Sequence, residues 1–206
     1  MIPRLHVVTD DRVLARADFA AGALEALEAG GGRIALHVRG PRTSGRTLYR
    51  AAAGLVRPAA RTGAWLVVND RVDVALALGI SRVHLGGRSM PAGVARRLLG
   101  PDARVGRSVH SAAGAGGDHG RIDYLFAGAV FATPSHAGMA PGGLGVVRTV
   151  AAASSAPVVG IGGITAGRAA QVLSAGARGV AVIRAVWDAP SPGYGVRCFL
   201  DSWPEE

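Results

Sequence analysis

Lysine is missing from the 206-residue chain, so a formal charge of +9 rests on arginine alone, 23 residues against 14 acidic ones. Schiff-base chemistry on a lysine amine is therefore excluded. Cysteine occurs once, at Cys198. That rules out an internal disulfide and a multi-cysteine zinc site, and beside Phe199 and Leu200 the thiol reads as structural and at least half-buried. Aromatic residues make up only 5% while hydrophobic residues reach 49%, so the core is expected to be built of Ala, Val, Leu and Ile. No apolar run reaches the length of a membrane span. The first residues also lack a charged region followed by an apolar stretch and a small-residue cleavage site, which predicts a cytoplasmic protein with no membrane partner. The six histidines show neither H-x-x-x-H nor H-E spacing, so nothing supports a zinc enzyme. The arginines form no basic run and are not interleaved with aromatics. No nucleic-acid surface is expected, and an anionic small molecule suits the positive excess better.

What the chain does have in quantity is glycine, 31 residues, and short apolar runs. Pro157 to Arg184 reads as strand, glycine turn, helix and strand. Pro157 to Ile161 is rich in β-branched residues and suits a strand buried on both faces. It ends at Gly162-Gly163, where the absence of Cβ atoms lets backbone N–H groups approach an anion, and a helix opening near Thr165 adds its positive end. Close packing of helix on strand is the plain alternative for the same two glycines. Ala169, Val172 and Leu173 share one helical face, Gly176 ends that helix, and Gly179 to Ile183 is the next buried strand.

Earlier strands fall at Arg4–Thr9, Ile34–Val38, Ala64–Val68, Arg82–Leu85, Arg104–Val109 and Tyr124–Phe131. Helical spacing runs from Val13 to Ala29, from Thr43 or Ser44 to about Arg61, from Asp70 to Leu78, from near Pro91, and from about Val146 to Ala153. Ala112 to Gly120 predicts a short or frayed helix, Ala137 to Gly145 a mobile loop, and Ala185 to Trp203 an irregular segment. Eight strand–helix repeats argue for an α/β fold, a single (β/α)8 TIM barrel spanning residues 1–206, over an open doubly wound sheet.

In such a barrel, reacting groups sit at the C-terminal ends of the strands. The polar residues there are Thr9, His37, Arg39, Asn69, Asp70, His84, His110, Thr133, Ser135, His136 and Arg184. Asn69 and Asp70 either cap the following helix or, as an amide and a carboxylate oxygen, suit Mg²⁺. Alternation around Val38 points His37 and Arg39 to the same side, towards the mouth, where Arg39 suits a phosphate. His110 is an acid/base candidate or a structural histidine. His84 reads as packing, His6 as structural and His119 as solvated.

The strings HVVTDD at His6, NDRVDVAL at Asn69, VHLG at Val83, GRSVHS at Gly106, AGAVFATPS at Ala127, PVVGIGGI at Pro157 and GVAVI at Gly179 resemble the thiamine-phosphate synthase and TenI (thiazole tautomerase) superfamily over nearly the whole length. The resemblance implies a (β/α)8 barrel acting on thiamine precursors. Synthases join a pyrimidine pyrophosphate to a thiazole phosphate, whereas tautomerases aromatise a thiazole carboxylate phosphate. Against the synthase pattern, Gln-x-Arg-x-Lys of the second strand falls on Ala35, His37 and Arg39. The strand-three metal-site Asp is kept as Asp70, the second acidic ligand falls on Ser89, and the loop lysine falls on His136. The tautomerase branch fits better through His37, Arg39 and GRSVHS, although its strand-six histidine falls on Ala129.

The leading expectation is a metal-free TenI-like isomerase with no cofactor. It would use His110, His37 or His136 for proton transfer and bind the substrate at Arg39, Asn69, Thr133, Ser135, Gly162, Gly163, Val182, Ile183 and Arg184. The alternative is a divergent synthase, a transferase with Mg²⁺ at Asp70. A third reading is a non-catalytic phosphate-ligand binder or regulator. The partner in every case is a small thiazole phosphate, and a homo-oligomer is compatible with the sequence.

Overall fold

The computed structural model describes residues 1–115, 122–133 and 140–203. Eight strands, β1 (Leu5–Val8), β2 (Ile34–Val38), β3 (Trp65–Asn69), β4 (Arg82–Leu85), β5 (Arg104–Val109), β6 (Tyr124–Gly128), β7 (Val158–Ile161) and β8 (Gly179–Val182), pair in chain order into a closed barrel. Every pairing is parallel. Leu5 sits beside Ile34 on one edge and beside Val180 on the other, so β8 closes onto β1. The expected (β/α)8 barrel is the observed one.

The helices in the described residues are α1 (Asp11–Leu14), α2 (Phe19–Gly30), α3 (Gly45–Thr62), α4 (Val72–Ala77), α5 (Ala92–Leu99), α6 (Ala112–Ala115), α7 (Gly143–Ala153), α8 (Ala166–Ser174), α9 (Arg184–Trp187) and α10 (Pro192–Leu200). Helix α3 shows why they cover the barrel. Leu48, Ala52, Leu55 and Ala59 recur at helical spacing and are buried, and each leucine contributes roughly 1.5–3 kcal/mol. Ser44 caps its start by accepting the Thr47 N–H, and Gly63, at φ 74°, turns the chain out of it. None of the helices among the described residues is long and apolar enough to cross a membrane.

Several boundaries differ from the sequence reading. The helix expected from Val13 to Ala29 is interrupted after Leu14, where Arg16 turns back to pair with Asp18 and donates to the Trp187 carbonyl at 2.7 Å. Residues 143–145 of the tract expected to be a mobile loop open α7 instead, and 134–139 lie outside the described residues. Ala185 to Trp203 is not irregular. Ser191 accepts the Tyr194 N–H, Pro192 fits the first turn, and Val196 and Phe199 bury one face of α10. Cys198 on this helix is half-buried and free.

Outward side chains of the strands, such as Leu36, Val38, Val83, Leu85 and Val105, join the large core beneath the helices. Inward positions form a separate small core of Val8, Tyr124, Phe126, Val159 and Ala181. Between these apolar groups stand three imidazoles, His6, His37 and His84, with 0–1% of their surface exposed.

Candidate active site

A cavity of about 650 Å³ opens at the C-terminal ends of the strands, within the size range of small-ligand pockets. The ends of β1 and β2 are clamped together at its edge. Thr9 Oγ1 accepts the Arg39 N–H at 2.8 Å and donates to the Arg39 carbonyl at 2.8 Å, which fixes where the half-buried Arg39 leaves the barrel.

At the end of β3 the chain reaches φ 62° at Asp70, a left-handed conformation that aspartate tolerates better than most residues. This turn lifts the exposed carboxylate over the loop after β4. There Asp70 Oδ1 accepts the Gly86 N–H at 2.8 Å and the hydroxyl of Ser89. Arg88 is exposed on the same loop and lines the cavity.

Opposite, after β7, Gly162 (φ 107°) and Gly163 (φ 62°) also line the cavity. They are constrained from behind as well. A Cβ on Gly162 would lie 2.8 Å from the Ala129 Cβ, and one on Gly163 would lie 2.5 Å from the Ala132 carbonyl oxygen. The close packing at these glycines is therefore against the segment after β6, whereas helix-on-strand packing was expected. Thr165 at the N-terminus of α8, Arg168 on its first turn, Val182 at the end of β8, and Ile183 and Arg184 after it complete that side. Arg168 lies 4.8 Å from the Phe131 ring centroid, which holds its guanidinium near the rim.

On the third side, His110 is exposed at the end of β5 and its Nδ1–H donates to the Gly128 carbonyl at 2.6 Å. Neutral His110 thus carries its proton on Nδ1. Thr133 lines the cavity, while Ser135, His136 and His119 lie outside the described residues.

The expectation that His37 faces the mouth is corrected. Alternation along β2 does put residues 37 and 39 on one side, but His37 lies one layer deeper and is fully buried. Its Nε2 meets His6 Nδ1 at 2.9 Å and its Nδ1 meets the Asn69 amide at 2.9 Å. Burial pushes its pKa down to about 4, with the Asn69 contact pulling weakly the other way. Burial likewise holds His6 and His84 well below the usual histidine range, reinforced by neighbouring imidazoles. A group kept neutral inside the barrel and bonded on both sides is a poor proton shuttle for a ligand at the mouth.

The sequence reading gave several cavity residues no role in the site. His84, read as packing, forms the floor. Its ring centroid is 4.0 Å from that of Phe126, and its Nε2 is 2.9 Å from Ser108 Oγ. Gly106 makes this possible, because a Cβ there would overlap the Tyr124 ring. Arg88 and Arg168 lay in loops and first turns that carried no motif, but the absence of lysine was a signal that arginine must supply any cation here.

A closed parallel barrel with an arginine-rimmed cavity over its strand ends defines a (β/α)8-barrel protein. The family model described as thiamine monophosphate synthase matches residues 5–186, and the chain belongs to this family, TMP-TENI, of thiamine-biosynthetic enzymes. A thiamine-phosphate synthase from Methanoculleus marisnigri is 42% identical over 188 residues, covering 88% of this chain and 86% of that protein. A thiamine biosynthesis bifunctional protein from Symbiobacterium thermophilum is 54% identical over 154 residues, 73% of this chain but only 32% of the longer relative. Among solved structures, a thiamine phosphate pyrophosphorylase from Pyrococcus furiosus superposes with a TM-score of 0.81 at 33% identity, over 97% of this chain and 94% of that one.

Proposed function

We propose that the protein joins a pyrimidine pyrophosphate to a thiazole phosphate, the reaction named by its synthase relatives. The observation that carries this reading is a cavity with two anion-binding poles. Arg39, Asp70 and Arg88 stand after β2, β3 and β4, while Gly162, Gly163, Arg168 and Arg184 stand after β7 and β8. Strands four apart in an eight-stranded barrel face each other. Two phosphate-bearing substrates need two such poles, whereas isomerising one thiazole phosphate needs one. Ala129 in place of the tautomerase histidine and the burial of His37 also weigh against the isomerase reading.

Mg²⁺ fits the Asp70 side as an ion that arrives with phosphate. Among the described residues no three His, Cys, Asp or Glu side chains gather to hold a metal. Magnesium, however, is commonly held by one or two carboxylates together with substrate phosphate oxygens and water. The Asp70 carboxylate is aimed by Gly86 and Ser89 and exposed to the cavity. When bound, the ion neutralises charge on the departing pyrophosphate.

The protein's own groups supply the rest. Arg39 and Arg88 offer guanidinium N–H groups to pyrophosphate oxygens, which match their fork geometry. Gly162, Gly163, the N-terminus of α8 and Arg184 bind the thiazole phosphate. The His84–Phe126 floor receives the rings. Coupling forms one carbon–nitrogen bond, breaks one carbon–oxygen bond and releases pyrophosphate, and the site's part is to bring the two carbon skeletons together.

The test is to incubate the purified protein with thiazole phosphate, pyrimidine pyrophosphate and Mg²⁺ and follow products by mass. A coupled product is the expected result. Interconversion of thiazole tautomers without coupling would transfer the assignment to the isomerase, and binding without turnover would transfer it to a phosphate-ligand binder.

A further inference from the structure

The interior hydrogen bonds carry a direction that ends at the cavity wall. His6 Nε2 lies 3.0 Å from the carbonyl oxygen of Pro3. A carbonyl only accepts, so His6 carries its proton on Nε2 and presents a lone pair at Nδ1. That lone pair faces His37 Nε2 at 2.9 Å, so His37 must donate from Nε2. A neutral His37 then has only a lone pair left at Nδ1, where the Asn69 amide lies 2.9 Å away with Oδ1 set towards the ring. Oxygen against a lone pair is repulsive. Three arrangements remove the conflict: a second proton on His37, a second proton on His6 that reverses the line, or an amide turned so that its NH₂ group donates to His37.

The surroundings decide between them. The titratable groups packed against the His37 ring are His6, His84 and Tyr124, and none is a carboxylate that would hold a cation there. Arg39, at the end of the same strand, adds a positive charge that is felt as far as His84. His6 and His37 are both completely buried, with no carboxylate among the described groups packed on either ring, and burying an imidazolium without a counter-charge is costly. The two ends of an asparagine amide have nearly the same shape, so turning it costs no packing.

We propose that His6 and His37 form a relay, anchored at the Pro3 carbonyl, that turns the carbonyl oxygen of Asn69 into the cavity and makes Asn69 a hydrogen-bond acceptor on the wall beside Asp70. His6 and His37 touch no ligand and act as positioning residues. Asn69 is 6% exposed and lines the cavity, so its outward atom faces the ligand. An acceptor there favours an N–H group of a ligand and disfavours a bare phosphate oxygen. The β3 wall therefore discriminates by hydrogen-bond polarity, and phosphate is left to the arginines and to the β7–β8 side. The relay follows from geometry within this chain and stands whichever reaction the enzyme performs.

The experiment is two-bond ¹⁵N–¹H correlation on ¹⁵N-histidine-labelled protein at pH 7, with resonances assigned through single His→Gln variants. The expected spectrum shows neutral His6 and His37, each protonated on Nε2 alone. In Asn69→Asp, whose carboxylate can only accept, His37 gains a second proton at the same pH. A doubly protonated His37, or one protonated only on Nδ1, in the unmutated protein would overturn the proposal. So would a folded Asn69→Asp protein whose His37 pattern is unchanged. Should that variant not fold, the unmutated spectrum decides alone.

Discussion

Ser89 donates its hydroxyl to Asp70 Oδ1, the same oxygen that accepts the Gly86 N–H at 2.8 Å. The sequence resemblance implies an acidic residue at this position, and Ser89→Asp would set two like charges in contact. Without metal this variant should lose about 1 kcal/mol of stability, the scale of an exposed charge pair. With Mg²⁺ the pair becomes a stronger ligand set. The magnesium needed for half-maximal coupling should fall about tenfold, and the melting temperature should rise more steeply with Mg²⁺ than that of the parent. Unchanged magnesium dependence would count against Asp70 as the metal-facing carboxylate.

Asp70→Asn tests the same carboxylate from the other direction. Asparagine also adopts the left-handed conformation seen at φ 62°, so the turn should survive. Coupling should fall by about 10²-fold or more, in the range seen for losing one strong electrostatic group. Circular dichroism and denaturation midpoint should stay close to those of the parent.

At the opposite pole, Gly163→Ala and Arg184→Ala should separate fold from binding. Alanine at φ 62° is strained, and its Cβ would press on the Ala132 carbonyl, so Gly163→Ala should cost about 1–3 kcal/mol by denaturant titration. Arg184 is exposed, and its removal should leave stability unchanged while weakening thiazole-phosphate binding about 10- to 100-fold by calorimetry. Equal affinity in parent and Arg184→Ala would remove this arginine from the phosphate site.

Acid should unfold the barrel from within. Burial lowers the pKa of His37 from 6.5 to about 4, so between these values the unfolded chain binds more protons than the folded one. Stability therefore rises with pH across this window, is fully present above about 6.5, and is lost as pH falls towards 4. His37 alone accounts for about 3 kcal/mol. His6 and His84 shift in the same direction and should steepen the loss. Urea midpoints at pH 7, 5.5 and 4.5 measure it, and a flat profile would contradict the buried neutral imidazoles.

His110→Gln distinguishes the two chemistries. If the protein were an isomerase using His110, turnover would fall about 10²-fold. In the coupling reaction proposed here His110 carries no obligatory proton, and kcat should change by less than about tenfold.

The barrel could be read from the sequence because each strand is a short β-branched run closed by glycine or a polar residue, and because those runs recur with a helix between them. The cavity residues at strand ends, Arg39, Asn69, Asp70, His110 and the Gly162-Gly163 pair, were legible for the same reason. Depth was not. A two-residue period assigns His37 to the inner side of β2 but says nothing about which interior layer it occupies, and that is settled by partners on β1 and β3. His84 was legible as packing, which its burial bears out, but its place at the cavity floor depends on Gly106 in the next strand, which makes room for the Tyr124 ring. The helix α10 was hidden by Pro192, Gly193 and Gly195, whose effect on propensity is outweighed by the Ser191 cap and by burial of Val196 and Phe199.

The Thr9–Arg39 clamp and the His6–His37–Asn69 line tie β1, β2 and β3 together below the rim, whereas Arg88, Ser89, Arg168 and Arg184 stand on the connecting segments above it. Substitutions on such exposed segments are ordinarily close to neutral for folding. Charge at the rim can therefore be exchanged, arginine for lysine or hydroxyl for carboxylate, with little cost to folding. The histidines beneath are bound to one another, so a change at one of them leaves its partner without a hydrogen bond.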